Sequence, residues 1–155
     1  MKKLILLSLC FFAGVLPLLA ASDKVLVNVD KHGVALQGYD PVAFFAQQKP
    51  VKGSAQFQST YCTATYNFVS TTDKAAFDKD PAKYAPQFGG YCAYGVAHGK
   101  TVPIEVDAFQ IVDGRLLMQY DADIRDTFNE DTQGNLKLAQ QKWPALVDQQ
   151  GKAAK

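Results

Sequence analysis

Cysteine is scarce in this chain of 155 residues: three in all, at positions 10, 62 and 92. No Cys-x-x-Cys-His occurs, so covalent attachment of a c-type haem is excluded. Charge of one sign is equally lacking. Sixteen Lys and Arg face 15 Asp and Glu, for a formal charge of +1. Neither a nucleic-acid-binding excess nor a charged tail is present. There is no internal repeat and no low-complexity stretch beyond a short polar end, Gly151–Lys155, expected to fray. What the chain does have is apolar residues, 48% of the total. That is too many for a disordered chain and enough for one well-buried domain.

Long hydrophobic runs are missing too, with one exception. Lys2 and Lys3 precede an apolar run from Leu4 to Leu19, which then passes into Ala20, Ala21 and Ser22. A basic start, an apolar middle and a small-residue exit are the parts of a secretory signal peptide cleaved near Ala20–Ala21. The alternative is a retained anchor, for which the run is barely long enough. Cys10 lies too early, and behind too bulky a residue, for a lipid-modified cysteine. Loss of the leader removes two lysines and turns the charge from +1 to −1. It leaves residues 22–150 as a single domain with the short tail 151–155, in a periplasmic or secreted location. No membrane attachment is expected after cleavage.

Local patterns give an α+β chain with small antiparallel hairpins. Val25, Val27 and Val29, then Val34 and Leu36, alternate around a turn at Lys31-His32-Gly33. Asp40-Pro41 opens a short helix through Ala46, and Asp80-Pro81 opens another through Tyr84, by aspartate capping and proline at the first helical position. Phe57, Ser59 and Tyr61, then Tyr66, Phe68 and Ser70, predict a hairpin turning near Cys62-Thr63. Ser70-Thr71-Thr72-Asp73 is close to a capping box and starts a helix carrying Ala76 and Phe77. The strand–turn–strand–helix unit therefore covers 55–79. Tyr91 to His98 is predicted helical, stopped by Gly99. Asp113-Gly114 is the strongest hairpin turn, between Phe109–Val112 and Leu116–Tyr120. Helices follow over Ile124–Phe128 and Leu136–Val147, with Trp143-Pro144 implying a kink or a late start.

Residues 66–84 read YNFVSTTDKAAFDKDPAKY. With Asp40-Pro41-Val42 ahead of it, and Gly89-Gly90-Tyr91-Cys92-Ala93-Tyr94-Gly95-Val96-Ala97 behind, this stretch resembles the YHS domain in its secreted form. The resemblance covers 38–147. It implies a small strand–strand–helix unit of the kind found in heavy-metal and copper handling proteins, with no settled catalytic activity. The family's metal-site cysteines would fall at positions occupied here by Ala43, Val69 and Asp73, so its thiolate site does not carry over.

Soft-metal chemistry could instead have moved to Cys92, with His98 or Met118, and with His32 completing a Cu(I) set. On a helix, Cys92 and His98 stand about 120° apart in projection, so they converge only if Gly95 or Gly99 bends the chain. Two other fates for Cys92 stay open. One is a buried inert thiol. The other is a Cys62–Cys92 disulfide closing a loop of about 31 residues, with about 3.7 kcal/mol of chain-entropy stabilisation.

The tyrosines at 39, 61, 66, 84, 91 and 94, with Phe88, read as core aromatics or as the lining of a pocket for a flat ligand. Asp121, Asp123 and Asp126 read as a helix start, since the fixed Gly and terminal Glu of a calcium loop are absent. Three functions result. The first is an exported metal-binding accessory, copper favoured, whose partner is the ion or a metal-handling protein. The second is a non-catalytic scaffold or interaction module. The third is a thiol enzyme using Cys92 with His98 as base, which lacks an orienting third member. The protein is expected not to be an enzyme.

Overall fold

The computed structural model of the protein describes residues 23–154. The leader read over residues 1–21, Cys10 included, lies outside the described residues. The described chain is α+β, with three separate two-stranded antiparallel pairs and six helices. Among the described residues no helix is long and apolar enough to cross a membrane.

The capping chemistry operates as the sequence predicts. Helix α1 (Pro41–Ala46) begins at Asp40, whose side chain accepts from the backbone of Val42 and Ala43. Helix α2 (Thr71–Lys79) begins at Ser70, which accepts from Asp73 N. Helix α3 (Pro81–Tyr84) is capped by Asp80, and α5 (Ala122–Asn129) by Asp121. The acids at 121 and 123 thus sit at a helix start, while Asp126 pairs with Arg125.

Strands β2 (Ser54–Tyr61) and β3 (Ala64–Phe68) form the first hairpin. With α2 they complete the expected strand–strand–helix unit. Tyr66 and Phe68 point inward onto Phe77 of α2, with ring centroids 4.9 and 5.1 Å away. The two-residue turn is unusual, because Cys62 and Thr63 both have positive φ (48° and 65°). That geometry suits the twist of a hairpin but favours Asn-Gly. The second hairpin, β4 (Glu105–Val112) with β5 (Arg115–Gln119), has the expected turn: Asp113 and Gly114 are at φ 50° and 72°.

Three elements differ from the sequence reading. Helix α4 (Ala93–Ala97) is shorter than Tyr91–His98. Gly89 and Gly90 hold positive φ just upstream, and Tyr91 is still extended, so the helix starts only after Cys92. Helix α6 (Thr132–Gln150) runs uninterrupted through Pro144. The carbonyl freed by the missing N–H belongs to exposed Gln140, where water can take it. The polar end does not fray at 152–153, since Lys152 and Ala153 (β6) pair with Val25 and Lys24 (β1).

The core has three centres. One gathers Tyr66, Phe68 and Phe77 between the first hairpin and α2. A second packs Leu136, Ala139 and Leu146 of α6 against Ala93, Val96 and Ala97 of α4. A third joins Phe44, Cys92, Leu116 and Met118.

Candidate functional site

Cys92 caps the N-terminus of α4 with its side chain: Sγ accepts from Gly95 N at 3.4 Å. The thiol also donates to Gln119 Oε1 at 3.3 Å, and that oxygen takes a second bond from Tyr94 N at 3.1 Å. The backbone donor at Tyr94 fixes the amide orientation, because an NH2 group there would face another N–H. Cys92 is 1% exposed and Gln119 is 0% exposed. The thiol is therefore enclosed with both its donor and acceptor capacity in use. Gly95 is needed here, since a Cβ would lie 2.7 Å from the Val102 side chain.

The proposed metal partners do not converge on this sulfur. His98 is the C-cap of the same helix, at the end opposite Cys92. A rise of 1.5 Å per residue puts about 9 Å of backbone between them. The His98 ring is exposed, its Nδ1 bonds Tyr94 O at 2.9 Å, and it packs on the Tyr94 ring. Neither glycine bends the chain enough to bring the imidazole back. His32 lies exposed in the Asp30–Gly33 turn. Met118 alone is close: it is fully buried in the same cluster, and its backbone pairs with that of Cys92 in an isolated parallel bridge. Among the described residues, no three His, Cys, Asp or Glu side chains gather around one point.

The disulfide is not formed. Both Cys62 and Cys92 are free thiols, the first half-buried at the hairpin turn and the second in the core. The turn faces an aromatic cavity while Cys92 belongs to a different core centre, so the two sulfurs serve separate regions.

The positions matching the family's cysteines do not offer a soft donor set either. Ala43 has no donor, and the Val69 backbone N–H is bonded to Asp40 Oδ2 at 2.8 Å. Asp73 brings a hard carboxylate, which suits neither Cu(I) nor a thiolate site. Asp40 holds this region together. It is 0% exposed and accepts three backbone N–H bonds, two from α1 and one from Val69. Burial pushes its carboxyl up to about 6 against the pull of those N–H groups, and the neighbouring Asp73 carboxylate adds to the rise.

The aromatic residues divide among several surroundings. Tyr61, Tyr66 and Phe88 share one cavity of about 320 Å3 with Cys62 and Trp143. A larger cavity of about 580 Å3, lined in part by Thr63 and Tyr91, shares the segment 25–27 with it as lining. Tyr94 lines a small recess beside Cys92. Tyr39 and Tyr84 are occupied by the ammonium groups of Lys52 and Lys83 over their rings. Gly89 makes the shared wall possible: a Cβ there would lie 2.0 Å from Leu26 O, and its carbonyl accepts from Asn28 N.

Sequence reasoning did not find Gln119, because a glutamine at the end of a strand reads as a solvent-facing position. The only available signal was its place two residues after Leu117 in a run of otherwise inward-facing side chains. Compared with known proteins, the chain matches no family model, no curated protein and no solved structure.

Proposed function

We propose that this chain is an exported, non-catalytic binding module of YHS-like build rather than a metal carrier. The observation that carries this reading is the state of the Cys92 thiol: enclosed, bonded to Gln119 and Gly95, and separated from His98 by the length of α4. A carrier site must exchange its ion, and a thiol must ionise to bind one. Here ionisation would cost the bond to Gln119 and leave a thiolate in an apolar centre. The same burial works against Cys92 as a nucleophile, since among the described residues no base is bonded to it.

One observation favours the second reading, copper binding. The thiol and the Met118 thioether lie on neighbouring, bridged backbones, and two sulfurs suffice for Cu(I). Native mass spectrometry of the reduced protein with Cu(I) and with Zn(II) decides between them. The module reading expects no stoichiometric ion and no difference after Cys92→Ser. A single bound Cu(I) that this substitution abolishes would establish the carrier.

A further inference from the structure

Cys62 at the hairpin turn and the Tyr66 side chain both line the 320 Å3 cavity. Tyr66 is 2% exposed and lines this space, and its hydroxyl has no hydrogen-bond partner among the described residues. Asp40 accepts three backbone N–H bonds and Gln119 Oε1 accepts two bonds, while Gln119 Nε2 has no partner among the described residues. A hydroxyl that no protein group engages and that opens into a cavity is free to donate to an acceptor on whatever fills it.

The neighbours define what that acceptor belongs to. Tyr61 pairs with Ala64 across the hairpin, two residues from Tyr66 on the same strand face. Tyr61, Cys62 and Tyr66 all line the cavity, so two phenols and one thiol border it. Burial raises both phenols above their ordinary range, which keeps them protonated donors. The lining also holds Phe88 and Trp143, edge to face at 5.9 Å. The one charged side chain of the lining, Lys24, has its ammonium on Asp148 O at 2.7 Å. The volume is at the small end for ligand pockets.

We infer that this cavity binds a small, uncharged aromatic molecule bearing a carbonyl oxygen, with its ring against Trp143 and Phe88 and its oxygen accepting from the Tyr66 hydroxyl. A carbonyl has two lone pairs and can take the Tyr61 hydroxyl as well. The inference rests on the binding-module reading and supplies that module's ligand class.

Trp143 is the chain's single tryptophan, so its emission reports on the cavity directly. The test titrates the purified protein with 1-tetralone and, as the matched probe without oxygen, tetralin. Tetralone is expected to change Trp143 emission saturably and to bind about tenfold more tightly than tetralin, the effect of one hydrogen bond. Tyr66→Phe is expected to remove that preference while leaving tetralin affinity within about twofold, and to leave the melting temperature no lower, because the lost hydroxyl had no partner. In the unmutated protein, tetralone is also expected to slow alkylation of Cys62. Equal affinity for the two probes, a preference that survives Tyr66→Phe, or an alkylation rate indifferent to tetralone each overturns the inference. Copper capture at Cys92 is read separately in the metal titration. It would overturn the module reading and leave the tetralone result standing.

Discussion

The two free thiols of this chain occupy opposite kinds of surroundings. Cys92 sits in the core, where Gln119 and Gly95 use up its hydrogen-bonding capacity. Cys62 sits half-buried in a turn whose φ angles suit neither it nor Thr63, and it lines the same cavity as Tyr66. In the first region the thiol and the Gln119 oxygen are satisfied, and only Gln119 Nε2 is left without a partner among the described residues. The second keeps two non-glycine residues in left-handed backbone at the rim of a cavity, and such strain persists where something other than stability holds it. A buried cysteine in a glycine-flanked aromatic segment looks functional in the sequence, yet its surroundings are those of a structural residue.

The contrast can be tested most sharply by thiol alkylation of the folded protein. Opening a core element costs several kcal/mol, so Cys92 is expected to react about a thousandfold more slowly than Cys62. Comparable rates, followed by mass spectrometry of the peptides, would erase the distinction between the two regions.

Asp40 extends the satisfied side of the comparison. Asp40→Ala leaves three backbone N–H groups, two of them buried, without their acceptor and is expected to cost about 3 kcal/mol in urea unfolding. The carboxyl itself gives a pH signature. Its folded value of about 6 lies above the ordinary 3.8, so the native state binds more protons between those values. Stability is therefore present in full below pH 4 and declines as pH rises through about 6, by up to about 3 kcal/mol. Asp40→Asn is expected to flatten that decline. Stability that instead rises across this window would show that the N–H bonds dominate and that the carboxyl is ionised throughout.

Gln119→Leu keeps the volume but strips Tyr94 N–H and the Cys92 thiol of their acceptor. The same change removes the Nε2 group, which has no partner among the described residues. The net loss is expected to be about 1–2 kcal/mol by thermal unfolding. On the strained side, replacing Cys62-Thr63 by Asn-Gly relieves a left-handed β-branched residue, and a gain of about 1 kcal/mol is expected. A loss there would mean that the turn is not strained, and the comparison would weaken accordingly.

Much of the fold was legible because it depends on neighbours in the chain. Asp40, Ser70, Asp80 and Asp121 each cap the helix that follows them, and Asp113-Gly114 makes its turn, because a side chain reaching two or three residues along needs no tertiary partner. The site was less legible. The pairing of β1 with β6 joins residues more than a hundred positions apart. Pro144 passes inside α6 because the carbonyl it orphans happens to face solvent. Gln119 is buried because α4 lies across it, and nothing in its own strand says so. The tyrosines were visible as a set, but their division among two cavities, a recess and two lysine-covered rings depends on which segments cross near Leu26 and Gly89.

The amino-acid order alone thus determined the class, the hairpin turns and the capped helix starts, since propensity, capping and alternation act over a few residues. Only the tertiary structure decided which thiol is enclosed and which lines a cavity, and which buried polar groups find partners. Burial and hydrogen-bond satisfaction belong to pairs of atoms brought together by packing, and no residue carries them by itself.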